Sequence, residues 1–337
     1  MVCAPAAIDS RQGSKSRGAI RAMRVRIHAV DVGAHLQTRY GITVSELNAL
    51  DRDVWRVRRS DGPDWVARVF PAPRPRAAAE GDAAVLAWLA GHRYPAERLA
   101  DAAPVSKLEG GAVLVTEYLA SAPQEERREA VRGAGGFRKL GELLAELHAL
   151  PAPAPGLRLG GAWHHVVEGR PAEEVRAALA WLEAAELEPL RATFRPPLEA
   201  ALAALGQALP EAMLHPDFCF ANVVATPQPM LQLVDWTGAG WGPRVWTLAW
   251  LLFTAAAVDA NLKRLDLALS GYHAKIALVP EEVRALRVLL PARPLVIEAW
   301  KVREGRSRPE EAIRNAAGGP RIGEAVLARA RTMERKG

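Results

Sequence analysis

The sequence predicts a mixed α/β (α+β) chain of two unequal lobes, a small antiparallel sheet first and a larger, mainly helical part after it. Three observations lead there. The chain has 337 residues, more than a single hydrophobic core ordinarily serves. Short strand-type runs separated by turn residues occupy 44–70, and helix-forming composition fills most of 171–209 and 243–335. Hydrophobic residues make up 50% and charged residues 24%, a balance that suits an ordinary globular core.

The elements follow in order. Residues 1–35 read as a basic, irregular tail, and through residue 26 Arg11, Lys15, Arg17, Arg21, Arg24 and Arg26 are opposed only by Asp9. Much of the net charge of +6 sits there, and Met23 is an alternative start. The runs Val44 to Leu50, Val54 to Arg59 and Trp65 to Phe70 are strands, split by Asp51-Arg52-Asp53 and by Ser60-Asp61-Gly62-Pro63. Prolines between Pro71 and Pro75 end regular structure, and Arg76 to His92 forms a helix with Val85, Leu86, Trp88 and Leu89 on one face. Ala112 to Leu119 is an apolar strand. Phe137 to Leu150 is a helix, because Phe137, Leu140, Leu144 and Leu147 recur at three- and four-residue intervals. Pro151 to Gly161 is a connection between lobes, and Val223 to Ala225 with Met230 to Trp236 form a hairpin.

Several function classes recede on composition. Cys3 and Cys219 are too few for a disulfide framework or a metal cluster, which fits a reducing cytoplasm. The apolar run Val245 to Val258 is shorter than the roughly 20 residues a membrane span needs, so it reads as a buried core helix. No secretory signal is evident at the N-terminus. These readings give a cytoplasmic protein with no membrane partner. The basic tail is read as a solvated arm, with no nucleic-acid motif beside it.

The stretch LHPDFCFANVVATPQPMLQLVDWTGAGWGP, from Leu214 to Pro243, sets His215, Asp217, Asn222 and Asp235 among apolar residues. A hairpin turning near Pro227 and Gln228 brings Asn222 and Asp235 together at its open end. An Asp and an Asn oxygen suit Mg²⁺, a hard cation that takes one or two protein carboxylates plus substrate phosphates. Asp217, on the loop entering the hairpin, is a candidate general base for a hydroxyl nucleophile. His215 reads as a loop-bracing residue or, alternatively, as a catalytic base. Cys219 lacks a partner at ligand spacing. His164 and His165 are structural or border an acceptor pocket, and Trp236, Trp241, Trp246 and Trp250 read as core packing.

This block resembles the H-x-D-x-x-x-x-N loop and following V-D-W of the aminoglycoside phosphotransferase, choline kinase and homoserine kinase group, with Gly242-Pro243 matching downstream. Leu140-Gly141 through Leu147-His148 resembles that group's LG-x-x-L-x-x-LH helix, and the likeness spans roughly 40–300. It implies a protein-kinase-like fold in which 36–120 form a nucleotide-binding N-lobe and 121–337 a C-lobe. It also implies Mg²⁺-dependent transfer of the γ-phosphate of ATP or GTP to a small-molecule hydroxyl. Asp217 is then the base, Asn222 and Asp235 the metal ligands, and His215 loop support. Glu117, Tyr118 and Leu119 correspond to the hinge that reads the purine. Glu80 corresponds to a glutamate orienting the strand cation.

The sequence departs from that pattern at three places. Arg68 stands at the donor-gripping lysine, and no lysine occurs between Lys15 and Lys107. The loop Ala49 to Asp53 has no glycine, and Trp246-Thr247-Leu248-Ala249 lacks the aspartate of a D-L-A turn. These departures sustain a second reading, a catalytically weak nucleotide-binding regulatory protein of the same fold.

Overall fold

A computed structural model describes residues 29–72, 74–108, 111–227, 230–258, 262–317 and 319–334. The basic segment through residue 28 and the Gln228 turn position lie outside them. The first described element, α1 (Ala29–Tyr40), corrects the reading of 29–35 as part of an irregular tail. Val32 and Leu36, four residues apart, are fully buried with Val57, Trp65, Ala67 and Val115 of the sheet. Only these two of its apolar residues stand four apart on the face the sheet receives, too short a stripe to identify a helix from sequence.

Strands β1 (Val44–Asp51), β2 (Val54–Arg59), β3 (Trp65–Pro71), β4 (Val105–Leu108) and β5 (Gly111–Glu117) form one antiparallel sheet in the order β1-β2-β3-β5-β4. Strand periodicity divides β3 cleanly: Trp65, Ala67 and Val69 face α1, and Arg68 and Phe70 face the other way. Arg68 pairs in register with Val54 and Leu114, so it sits mid-sheet rather than at an edge. Helix α2 (Arg76–Gly91) covers this second face, and its Val85, Leu86 and Leu89 join Phe70 in the main core.

The remainder is mainly helical: α3 (Gln124–Arg132), α4 (Ala134–His148), the short pair β6 (Ala162–Trp163) and β7 (Val166–Val167), then α5 (Pro171–Ala184) and α6 (Glu188–Leu205). Strand β8 (Glu211–Leu214) leads into the polar block, followed by β9 (Val223–Ala225), β10 (Leu231–Leu233) and β11 (Gly240–Pro243). Five helices complete the chain: α7 (Val245–Ala257), α8 (Lys263–His273), α9 (Pro280–Arg303), α10 (Pro309–Ala316) and α11 (Gly319–Glu334). The apolar run beginning at Val245 is α7, buried nearly all round, and among the described residues no helix is long and apolar enough to cross a membrane.

Close backbone approach explains two glycines of the motifs. At Gly242 a Cβ would lie 1.9 Å from the Gly169 carbonyl, so β11 reaches the start of α5 only without a side chain. At Gly141 a Cβ would lie 2.0 Å from the Ala268 carbonyl, where α4 crosses α8. Alanine is a better helix former than glycine by about 1 kcal/mol, yet the obstruction here is backbone that cannot rotate away. Gly141→Ala should therefore lower stability by about 1–3 kcal/mol, read as a fall in the denaturant midpoint. A raised midpoint would mean that the two helices separate at no cost.

Candidate active site

The β9–β10 hairpin has the register its sequence suggests: Leu231 faces Ala225 and Leu233 faces Val223. The Val234 N–H then donates to the Asn222 carbonyl at 3.0 Å, which leaves Asn222 and Asp235 at the open end. Asp235 has φ of 69°, in the left-handed region that an aspartate tolerates better than most residues. Its conformation is fixed from behind, where its own N–H donates to Glu97 Oε1 at 2.9 Å.

Asp217 is held at both carboxylate oxygens. Asn222 Nδ2 donates to Asp217 Oδ2 at 2.9 Å and to the Asp217 carbonyl at 2.8 Å, and the Trp250 indole N–H donates to Oδ1 at 2.5 Å. With its amide nitrogen engaged twice, Asn222 keeps Oδ1 as its acceptor. Trp250 thus does more than pack, a role no helical periodicity could reveal.

His215 braces the loop. The Asp217 N–H donates to its Nδ1 at 3.1 Å, so Nδ1 is the acceptor nitrogen and Nε2 carries the proton donated to the Val234 carbonyl at 3.0 Å. Burial lowers its pKa, which keeps the ring neutral and both bonds intact. Behind the loop, where an aspartate was absent from the sequence, Arg293 of α9 donates to the Pro216 carbonyl at 2.7 Å and is held by buried Glu174 of α5.

Arg68 reaches across from β3 and pairs with Asp235, Nη1 to Oδ1 at 2.9 Å. Burial disfavours the arginine charge, but Asp235, Glu97 and Asp82 around it raise its pKa nonetheless. Burial likewise raises the Asp235 carboxyl, and Arg68 overcomes this to leave it below the usual carboxylate range. Glu80 takes no part, which corrects the expectation that it orients Arg68. It lies on the outer side of α2 with Arg76 at 3.0 Å and Arg158 at 2.8 Å. The carboxylate behind the Arg68 and Asp235 pair is Glu97, buried on an irregular segment and hydrogen-bonded by Thr116 at 3.1 Å.

Arg68, Asp217 and Asp235 line one cleft of about 340 Å³ together with the β1–β2 tip Asp51 to Asp53, residues 163–166, Thr237 and Arg306. Glu117, Tyr118 and Leu119 are not among its walls. The Glu117 N–H is spent on the Arg98 carbonyl at 2.8 Å and that of Tyr118 on the Asp64 carbonyl at 3.0 Å, so Leu119 holds the hinge donor without such a bond among the described residues. No cluster of three or more His, Cys, Asp or Glu suited to a metal occurs among the described residues. The pair Asn222 and Asp235 instead offers the sparse oxygen set that suits Mg²⁺, and Asp235 already draws a cation in Arg68.

The sequence model of the phosphotransferase enzyme family (APH) matches residues 43–279. No curated protein sequence matches the chain. Solved structures do. A choline/ethanolamine kinase family protein from Mesorhizobium loti superposes with a TM-score of 0.58 at 20% identity, over 91% of this chain and 99% of that one. An aminoglycoside phosphotransferase from Alicyclobacillus acidocaldarius gives 0.58 at 17%, over 95% and 100%. A spectinomycin phosphotransferase in complex with ADP and spectinomycin gives 0.54 at 12%, over 91% and 99%. At these identities the likeness is one of fold, a kinase-like fold with an antiparallel N-terminal sheet and a helical C-terminal part.

Beside the cleft, a second buried pair joins Asp82 of α2 to Arg74 at 2.8 Å, and the Gly238 N–H donates to Asp82 at 3.0 Å. Burial raises the Asp82 carboxyl to about 7, against the pull of Arg74. The folded chain thus keeps a proton that the unfolded chain releases near its ordinary value of 3.8. Stability should fall as pH rises from about 4 to about 7. Asp82→Asn should flatten that fall in a thermal-melt series across this range. An unchanged slope in the variant would assign the pH dependence to other groups.

Proposed function

The chain belongs to the phosphotransferase enzyme family, and on that premise we propose that it transfers the γ-phosphate of ATP or GTP to a hydroxyl of a small molecule. One observation carries the reading: Asp217 and Asp235 line the same cleft, one braced at both oxygens and the other paired with a cation from the opposite lobe.

In this reading Asp217 accepts the proton of the attacking hydroxyl. The acceptor oxygen forms its bond to the γ-phosphorus as the bond to the bridging oxygen breaks, and the nucleoside diphosphate leaves with that electron pair. The hydrogen bonds from Trp250 and Asn222 fix the carboxylate in advance, so no reorganisation is needed when the proton moves. Mg²⁺ bound by Asn222 and Asp235 would supply charge neutralisation at the donor phosphates. Arg68 turns from Asp235 to those phosphates, where its planar fork can hold two oxygens. Leu119 supplies the hinge contact to the purine, beside Glu117 and Tyr118. The regulatory alternative would keep nucleotide binding without turnover. The bracing of Asp217 favours the enzyme, since a base that abstracts no proton has no need of it.

Asp217→Asn should lower acceptor-dependent release of nucleoside diphosphate by at least about 10²-fold while nucleotide affinity stays nearly constant. Turnover equal to wild type would remove Asp217 as the base. Arg68→Ala should weaken nucleotide binding by about 1–3 kcal/mol and Arg68→Lys should recover part of it, measured by calorimetry with Mg²⁺ present. Normal binding by Arg68→Ala would leave the arginine as a structural partner of Asp235 alone.

A further inference from the structure

Arg68 is flanked by two carboxylates and paired with one of them. Asp235 Oδ1 meets its Nη1 at 2.9 Å. The other, Glu97, is 7% exposed, and among the described residues its oxygens take neutral donors alone: the Asp235 N–H on Oε1 at 2.9 Å and the Thr116 hydroxyl on Oε2 at 3.1 Å. Both oxygens accept and neither donates, as in an ionised carboxylate. Burial raises the Glu97 carboxyl, and Arg68 is the cation that draws it back. Keeping a buried carboxylate without an ion pair costs free energy, so its presence here calls for a use.

Arg68 and Glu97 face the same small internal space of about 10 Å³, with Asp82, Thr116 and Thr237 among its other walls. That is room for about one water molecule, too little for a ligand. It does suffice for one guanidinium nitrogen to advance. Strand alternation puts Thr116 on the Arg68 face of the sheet, two residues along β5 from Leu114, the register partner of Arg68, so the Thr116 hydroxyl holds Glu97 on that face. The backbone of Glu97 is tied as well, its N–H bonded to the Leu233 carbonyl at 2.9 Å. Asp82 is the rival carboxylate in this space, but it is already engaged by Arg74 at 2.8 Å and by the Gly238 N–H at 3.0 Å.

The pair of Arg68 with Asp235 cannot persist once Mg²⁺ claims the Asp235 carboxylate. An arginine does not shed its charge, so loss of that partner would strand it in a largely buried place. Building on the kinase reading, we propose that Glu97 is a positioning residue that receives Arg68 when Mg²⁺ takes Asp235, so that the metal need not compete with the arginine for its ligand. A pivot that carries one nitrogen of Arg68 into the small space closes the new pair, and the other N–H groups of the fork stay turned to the donor phosphates. Glu97 acts through Arg68 and touches no reacting atom. Its bond to the Asp235 N–H is kept throughout, so the metal ligand stays in place while the arginine changes partner.

Glu97→Gln removes the charge alone, since the amide oxygen still accepts from the Asp235 N–H and the amide nitrogen can donate to the Thr116 oxygen. A purely structural Glu97 therefore predicts no effect. Binding of adenylyl imidodiphosphate and guanylyl imidodiphosphate is followed by calorimetry as Mg²⁺ is raised, so no turnover is required. Glu97→Gln should raise the Mg²⁺ concentration for half-maximal binding at least about fivefold, because Arg68 then keeps its hold on Asp235. In an Arg68→Met background, where no arginine competes for Asp235, the same substitution should shift it by less than about twofold. An unchanged Mg²⁺ requirement in Glu97→Gln would overturn the inference. A shift as large without Arg68 as with it would do the same, since Glu97 would then be attracting the metal directly. Failure of the kinase reading is seen separately, in a wild-type chain that binds neither analogue or binds them without regard to Mg²⁺.

Discussion

The active cleft depends on the way the β9–β10 hairpin is clamped between the lobes. On one side its strand bonds to the segment before β4: the Glu97 N–H reaches the Leu233 carbonyl and the Leu233 N–H reaches the Pro95 carbonyl, each at 2.9 Å. Glu97 then turns its carboxylate to the Asp235 N–H. On the other side His215 ties the loop to the Val234 carbonyl. Asp235 is therefore located by bonds made to the hairpin's own backbone, and the ion pair with Arg68 forms on a scaffold already set. A two-stranded hairpin of three-residue strands is marginal alone. Here the flanking segments supply what the strands lack.

Charge in this region follows one rule, that each buried ion has a named partner. Arg68 is matched by Asp235 at 2.9 Å, Arg74 by Asp82 at 2.8 Å, and Arg244 by Glu282 at 2.7 Å. Such pairs gain little net stability over apolar packing, because desolvation offsets much of their attraction, but losing one partner strands the other. They give geometry more than strength. The pair at Asp235 also differs in kind from the others: it faces a cleft rather than a packed interior, so its partner can be exchanged.

Sequence legibility followed distance along the chain. The hairpin could be read because its two strands lie within a dozen residues and its polar ends stand out from apolar surroundings. The helix that became α4 could be read from three- and four-residue spacing. Glu97 could not, since one glutamate in an irregular stretch carries no periodic signal and its role arises from pairing with residues more than a hundred positions later. Glu80 differs from its expected place for a related reason: the helix is legible in the sequence, but a helix presents several faces, and on α2 the inward carboxylate is Asp82. Strands β8 and β11 escaped notice because Gly240 to Pro243 has no strand composition and is held in place by its partner and by Gly169. The support from Arg293 lay on a helix whose sequence gave no hint of the loop it serves.

That last placement has a consequence for how the molecule can change. Arg293 and Trp300 belong to the same helix, seven residues and so about two turns, or roughly 10 Å, apart. The middle of α9 steadies the loop that carries Asp217, and its last turn lies against His164 and His165 of the β6–β7 loop. A substitution that tilts α9 at Trp300 also moves the prop beneath Pro216, so the β6–β7 loop and the Asp217 loop cannot be repositioned independently. Side chains exchanged on a stationary α9, or within the β6–β7 loop beside it, change the cleft wall at His164 and His165 and leave that prop in place.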